Sequence, residues 1–261
     1  MRPALLLAAA AAAAAAAGCA SSSGDGSRLP RRYDDETPLW TLTGYGWRAD
    51  SEVEITTGAI QAKTDRIEEE AVRGGRLEAH LDRVSLLLDG FWLHASADAG
   101  GVEGDARYGR FDLSVALRLV GEERFPVAER ASPVAPFLDG IAGLRTHFAG
   151  LHTDPPGFER VDQDAAWIEP MAGARAGVVL LRRLTLEGRA DVSGLAYSDW
   201  RSLSTGAEAT LRLDLAAGLG AFVGARWARV RIGEDDDGDG FDETFLDLRL
   251  DGVWAGVIWE F

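Results

Sequence analysis

The chain has 261 residues, enough for one large β domain or two small ones, and its 46% hydrophobic and 26% charged residues exclude a disordered composition. A formal net charge of −15 argues against a nucleic-acid partner, which requires basic surface. The single cysteine, Cys19, excludes an intramolecular disulfide and a cysteine-based zinc site.

The amino terminus reads as a targeting segment. Met1-Arg2-Pro3 is a weakly positive start, Ala4 to Ala17 is apolar, and Gly18-Cys19-Ala20-Ser21 supplies small residues for cleavage. Ala16-Ala17-Gly18-Cys19 resembles a bacterial lipobox, which implies cleavage after residue 18 and a diacylglycerol on Cys19. Ala16 stands where that motif usually has Leu, and ordinary cleavage after Ala20 is the competing reading. Residues 19–38 are Ser/Gly-rich, then charged, and read as a flexible periplasmic tether.

From Leu39 onward, apolar and polar residues alternate with the period of a strand. In Leu184-Thr185-Leu186-Glu187-Gly188-Arg189-Ala190-Asp191-Val192, one face is apolar and the other charged. Arg76 to Asp82 and Ala207 to Leu215 repeat the pattern. The expected fold is all-β: an antiparallel up-and-down transmembrane β-barrel over residues 39–261. Its ten strands are 39–48, 74–82, 84–96, 107–119, 135–148, 166–181, 184–195, 203–216, 219–232 and 244–261. Eight or twelve strands are the alternatives, and a soluble lipocalin-like barrel is the rival fold. Dense, sign-mixed charge on the polar face favours the membrane barrel. So does the alternation of tight turns (Asp82-Arg83, Arg182-Arg183, Ala217-Gly218) with longer polar connections (His152 to Ala165, Gly233 to Glu243). An even strand number places both ends on the periplasmic side. Glu52 to Glu70 is expected to form a hairpin or short helix outside the membrane.

The carboxy-terminal run Val253-Trp254-Ala255-Gly256-Val257-Ile258-Trp259-Glu260-Phe261 resembles the terminal signal of bacterial outer-membrane proteins, which implies reading by the barrel-assembly machinery. Its phase conflicts with Leu246, Leu248 and Leu250, which have the opposite parity. A β-bulge near Asp251-Gly252 would reconcile them; otherwise one apolar set faces inward. Trp167 and Trp200 are expected at the outer interface and Trp259 at the periplasmic one.

The run from Leu39 to Phe261 resembles small proteobacterial outer-membrane β-barrels. The segments that carry the resemblance are Leu39 to Trp47, Leu86 to Trp92, Ile168 to Arg175 and Gly224 to Trp227. It implies an outer-membrane location with outward-facing loops, lipid as the surrounding partner, and no catalytic motif.

Three constellations carry candidate chemistry. Strand parity turns Arg76, Glu78, Asp112, Asp139, Arg145, Glu169, Arg175, Glu187, Arg189, Glu208, Arg212 and Arg226 toward the lumen. His80, Asp82, Asp89, Arg110, Asp191 and Asp214 are expected with them. Such charges either cross-link and plug a narrow barrel or line a small-solute pore. The acidic loop offers Asp235, Asp237, Asp239, Asp242 and Glu243 as oxygen ligands for calcium, against a plain solvated loop tip. No other cofactor is suggested. His147 and His152, with Asp154, could form a rim hydrolase site, against two rim histidines without a reaction. The expected function is a non-enzymatic structural or interaction barrel, with a narrow porin-like channel second and a rim enzyme third.

Overall fold

The computed structural model describes residues 39–57, 60–99, 102–121, 133–154, 161–181, 183–197, 200–215, 218–234 and 243–261. They form a closed antiparallel barrel in which each strand bonds its sequence neighbours and β1 closes onto β10. The strands are β1 (Leu39–Thr57), β2 (Ile60–Leu81), β3 (Val84–Ala99), β4 (Val102–Val120), β5 (Val134–Asp154), β6 (Val161–Leu180), β7 (Leu184–Tyr197), β8 (Trp200–Asp214), β9 (Leu219–Glu234) and β10 (Glu243–Glu260). Ten is therefore the strand number, and closure leaves no unpaired edge. We call the end that holds Leu39 and Phe261 proximal and the other end distal.

Expectation and structure differ at the distal end. Of the two forms expected for residues 52–70, hairpin or helix, 52–57 and 60–70 take the hairpin, and they do so by continuing β1 and β2 past the belt. The supposed long connection from His152 to Ala165 is mostly strand, since β5 runs to Asp154 and β6 starts at Val161. The barrel gains distal height through longer strands. One proximal connection, between β4 and β5, is long rather than tight.

The outward face of the proximal part is an uncharged belt. Leu86, Leu88, Phe111, Leu113, Val115, Leu117, Leu144, Ile168, Leu186, Leu211, Val223, Val253 and Val257 are all exposed there. Exposed Trp40, Trp92, Trp227 and Trp259 belong to the same face. On β10 the belt runs from Val253 to Phe261; at about 3.3 Å per residue and a tilt of about 40° it is about 23 Å tall. Distal to it the outward face carries Arg48, Arg73, His94, Arg107, Asp164, Arg229, Arg249 and Asp251.

The phase conflict in β10 is resolved without a bulge. Pairing with β1 runs unbroken from Leu246 to Glu260, and pairing with β9 from Leu246 to Trp259. Leu246, Leu248 and Leu250 face inward, while Val253, Val257, Trp259 and Phe261 face outward. What changes along the strand is the surroundings, not the register. Gly252 is needed at the crossover because a Cβ there would meet the Arg48 carbonyl oxygen at 2.0 Å. Leu248 and Leu250 join Trp47, Ala49, Val72, Leu93, Ala228, Val230 and Ile232 in an apolar core that fills the distal interior. Outside that core, Arg229 Nε donates to Asp247 Oδ1 at 2.9 Å. Partial burial opposes ionisation of Asp247, yet Arg229, Arg249 and Arg231 hold its carboxyl below the usual carboxylate range. The distal part is thus built like a water-soluble barrel, with an apolar inside and a charged outside.

Trp167 and Trp200 correct the interface assignment. Both turn inward and meet edge to face, with ring centroids 6.3 Å apart, at the boundary between distal core and lumen. Trp259 does lie on the outward face near the proximal end.

Inward Leu250 predicts a specific loss. Leu250→Ala should destabilise the barrel by about 2–5 kcal/mol, whereas Asp251→Ala on the outer face should stay within about 0.5 kcal/mol. Urea unfolding of both variants, followed by tryptophan fluorescence, checks this. A bulge that turned Leu250 outward would make the two losses similar and small.

Candidate functional site

The lumen of the proximal two-thirds is a network of buried charge, built row by row along the hydrogen-bonding direction of the sheet. One row crosses β2 to β6 as Arg76, Asp89, Asp112, Arg145 and Glu169, each the register partner of the next. A second row crosses β4 to β9 as Arg118, Asp139, Arg175, Arg189, Glu208 and Arg226. Directly opposite cross-strand residues lie about 5 Å apart and point to the same face, so sheet geometry alone lines up each ladder.

The ladders are tied internally and to each other. Within the first, Arg145 forks onto Asp112 with Nε–Oδ1 at 2.8 Å and Nη2–Oδ2 at 2.9 Å. Arg76 Nη2 reaches Asp89 Oδ2 at 2.9 Å. Within the second, Arg175 Nε donates to Asp139 Oδ2 at 2.9 Å, and Arg118 bonds the same carboxylate. Across the lumen, Arg76 Nη2 meets Glu208 Oε1 at 2.9 Å, and Arg226 Nη2 meets Asp89 Oδ2 at 3.3 Å. Arg175 Nη2 meets Glu78 Oε1 at 2.8 Å; on one side of the lumen, Arg145 also bonds Asp191 two strands away. Arg189 sits among Asp191, Asp89 and Asp112 at 3.3, 3.9 and 3.9 Å. A forked guanidinium–carboxylate pair fixes orientation as well as charge, which explains the use of Arg throughout.

Above the ladders lies a polar and aromatic layer. Tyr45 lies over Gly74, where a Cβ would come within 2.4 Å of its ring, and reaches Asp89 Oδ1 at 2.9 Å. Glu169 is held by Trp167 Nε1 at 2.8 Å, by Ser193 Oγ at 2.6 Å and by Ser202. His147 stacks on Trp167 at 4.7 Å and bonds the Tyr108 hydroxyl through Nδ1 at 2.7 Å.

All twelve lumen residues read from parity face inward. So do His80, Asp89, Arg110, Asp191 and Asp214; Asp82 does not. Asp82 occupies the β2–β3 turn with φ 51°, exposed, a conformation Asp tolerates better than most residues. Parity also marks two charged residues that the reading omitted: Arg118, in phase with Asp112 on β4, and Glu260, in phase with Ile258 on β10. Among the described residues the inward face thus carries eight guanidiniums (Arg76, Arg110, Arg118, Arg145, Arg175, Arg189, Arg212, Arg226). It carries ten carboxylates (Glu78, Asp89, Asp112, Asp139, Glu169, Glu187, Asp191, Glu208, Asp214, Glu260).

The proposed rim site is not assembled. His147 is fully buried in the lumen, whereas His152, of opposite parity on the same strand, lies on the outer face opposite Asp105. Ser204 Oγ at 3.3 Å and Glu169 Oε2 at 3.2 Å both approach the same His147 nitrogen, Nε2. An acid–base relay to a serine needs one on each ring nitrogen. Cys19, Asp235, Asp237, Asp239 and Asp242 lie outside the described residues, as does the Glu243 side chain. The described side chains contain no cluster of three or more metal-ligating groups.

At the proximal end the lumen holds a cavity of about 120 Å³ that opens to the outside. Leu39, Phe222, Trp254 and Ile258 form its apolar wall, and Arg76, Glu78, Arg175, Glu187, Arg212 and Glu260 are among its polar groups.

These features define a closed ten-stranded antiparallel barrel with a charged lumen. Among solved structures, the outer membrane protease OmpT from Escherichia coli matches with a TM-score of 0.50 and 11% identity, over 86% of this chain and 97% of that one. Neisserial surface protein A (TM-score 0.37, 12% identity, 85% of this chain and 97% of that one) is similar at a lower level. So is Ail of Yersinia pestis (0.38, 10%, 87% and 99%). The likeness to the outer-membrane barrel at a TM-score of 0.50 and 11% identity concerns the fold alone. No family model matches the sequence, and no curated protein matches it.

Removing one member of a buried pair leaves an uncompensated charge. Arg145→Met should cost about 3 kcal/mol, because Asp112 loses its forked partner and keeps Arg110 at 3.0 Å, while Asp191 keeps only Arg189 at 3.3 Å. Arg145→Met with Asp112→Leu should recover part of that loss. Urea titration of folded protein in micelles measures both.

Proposed function

We propose that the protein is an integral outer-membrane barrel, sealed along its axis and non-catalytic, with a structural or interaction role exercised at its ends. The observation that carries this reading is the bridging of the lumen from wall to wall by buried ion pairs, Arg76 with Glu208, Arg175 with Glu78 and Arg226 with Asp89. The apolar distal core stacked on that layer supports the same seal. A conducting path would need hydrated space through both layers, and ion-paired and close-packed side chains stand there instead.

Membrane residence is supported by the uncharged belt, whose height of about 23 Å suits the apolar band of such barrels. On this reading the proximal end faces the periplasm, where Cys19 would carry its lipid, and the distal extension and acidic loop face outward. The strand ending at Phe261 would be read by the assembly machinery.

Two measurements test the proposal. In planar bilayers the folded protein should show no unitary conductance steps; stable, reproducible steps would establish the porin-like reading in its place. Leu113→Arg, in the middle of the belt, should cost about 2–4 kcal/mol of folding free energy in lipid vesicles. A cost near zero would remove the belt from the membrane.

A further inference from the structure

The charge balance of the lumen is uneven, and the structure localises the surplus. Ten inward carboxylates face eight inward guanidiniums among the described residues. Eight of the ten carboxylates lie within ion-pair reach of arginine; Glu169 and Glu187 are the two outside that pairing. Glu169 is accounted for, because Trp167, Ser193, Ser202 and His147 surround it. Glu187 is different. It lines the proximal cavity at half-burial. The guanidinium that influences it, Arg175, is already bonded to Glu78 and Asp139.

We infer that the proximal cavity binds an organic cation, with an ammonium group neutralising Glu187 and an apolar body against the wall formed by Leu39, Phe222, Trp254 and Ile258. A carboxylate in a low-dielectric recess gains most from a cation that brings its own apolar surface, since the cation then displaces water from both. The four arginines of the cavity, Arg76, Arg118, Arg175 and Arg212, are already bonded to carboxylates, so Glu187 is the group it offers to a charged ligand. Thr185 and Thr210 flank Glu187 on the same face and provide hydroxyls for an ammonium N–H or for water beside it. The cavity stops at the ion-paired ladders, so the site takes ligand from the proximal end without requiring passage through the barrel.

The test is calorimetric titration of the full chain in non-ionic micelles with benzyltrimethylammonium chloride, with sodium benzenesulfonate as the anionic counterpart and protein-free micelles as blank. Saturable binding of the cation and none of the sulfonate is expected. Glu187→Gln should weaken cation binding about tenfold while preserving the heat-modifiable band of the folded barrel. Thr210→Trp, which fills the cavity, should abolish it; if that variant does not fold, Glu187→Gln decides alone. Three outcomes overturn the inference: no saturable heat, equal binding of the sulfonate, or a Glu187→Gln variant that binds as the parent does. None of them bears on the conductance measurement, so the site and the sealed lumen stand or fall separately.

Discussion

An arginine taken out of water is tolerated only where carboxylates meet it, and the interior of this barrel is organised by that requirement. Two walls each present a ladder of mixed acids and bases, with Asp89 beside Asp112 in one and Arg175 beside Arg189 in the other, and each ladder is incomplete without the other. Arg76 needs Glu208 from the far wall as well as Asp89 from its own neighbour. Arg175 needs Glu78 as well as Asp139. Because these bonds cross the axis, they hold the barrel's cross-section and occupy its bore at once. Sealing and stiffness are here one property. A barrel of the same strand number with small polar residues in these rows would keep the fold and lose both.

The second constraint is the medium outside. The strands cross from a stretch where apolar side chains point out to one where they point in, with no change of register. The alternation of a strand is geometric, but which face is apolar depends on what surrounds it. Next to the belt the outside favours Val253 and Val257; farther along, water outside favours Asp247 and Arg249 there and drives Leu248 and Leu250 inward. The apolar distal core is what allows strands as long as β1 and β2 to continue past the belt as a folded wall.

Much of this was legible in the sequence, because strand parity is a strong signal. It gave the ten strands, the closed fold and the inward position of all twelve lumen charges. It misled where one local pattern was read with one fixed idea of the surroundings. The opposed phases of Leu250 and Val253 looked like a defect needing a bulge only while the whole strand was supposed to lie in lipid. Trp167 and Trp200 were placed at an interface by residue type alone, although Trp167 shares the parity of inward Glu169. His147 and His152 were paired by proximity in sequence, although an odd separation along one strand puts them on opposite faces. What parity cannot supply is the contact across the axis. That Arg76 meets Glu208, 132 residues away, depends on closure and on the stagger of the rows, neither of which is written in any one segment.

On the reading proposed here, a sealed interior also restricts where a role can reside. The belt then faces lipid, and the ladders are buried and ion-paired with one another, so neither is open to a soluble partner. Two surfaces escape that restriction. The distal outer face carries charge arranged for water, as the Arg229–Asp247 pair shows. The proximal cavity holds Glu187 and an apolar wall that the lumen's own pairing does not use. Of the two carboxylates outside the arginine pairing, Glu169 is fully buried and held by hydrogen bonds from Trp167, Ser193 and Ser202, whereas Glu187 lies at the open end, where solvent limits the cost of an unmatched charge. The unevenness of the charge balance is therefore consistent with stability, and it makes the proximal end the one part of the interior chemically prepared to receive something from outside the chain.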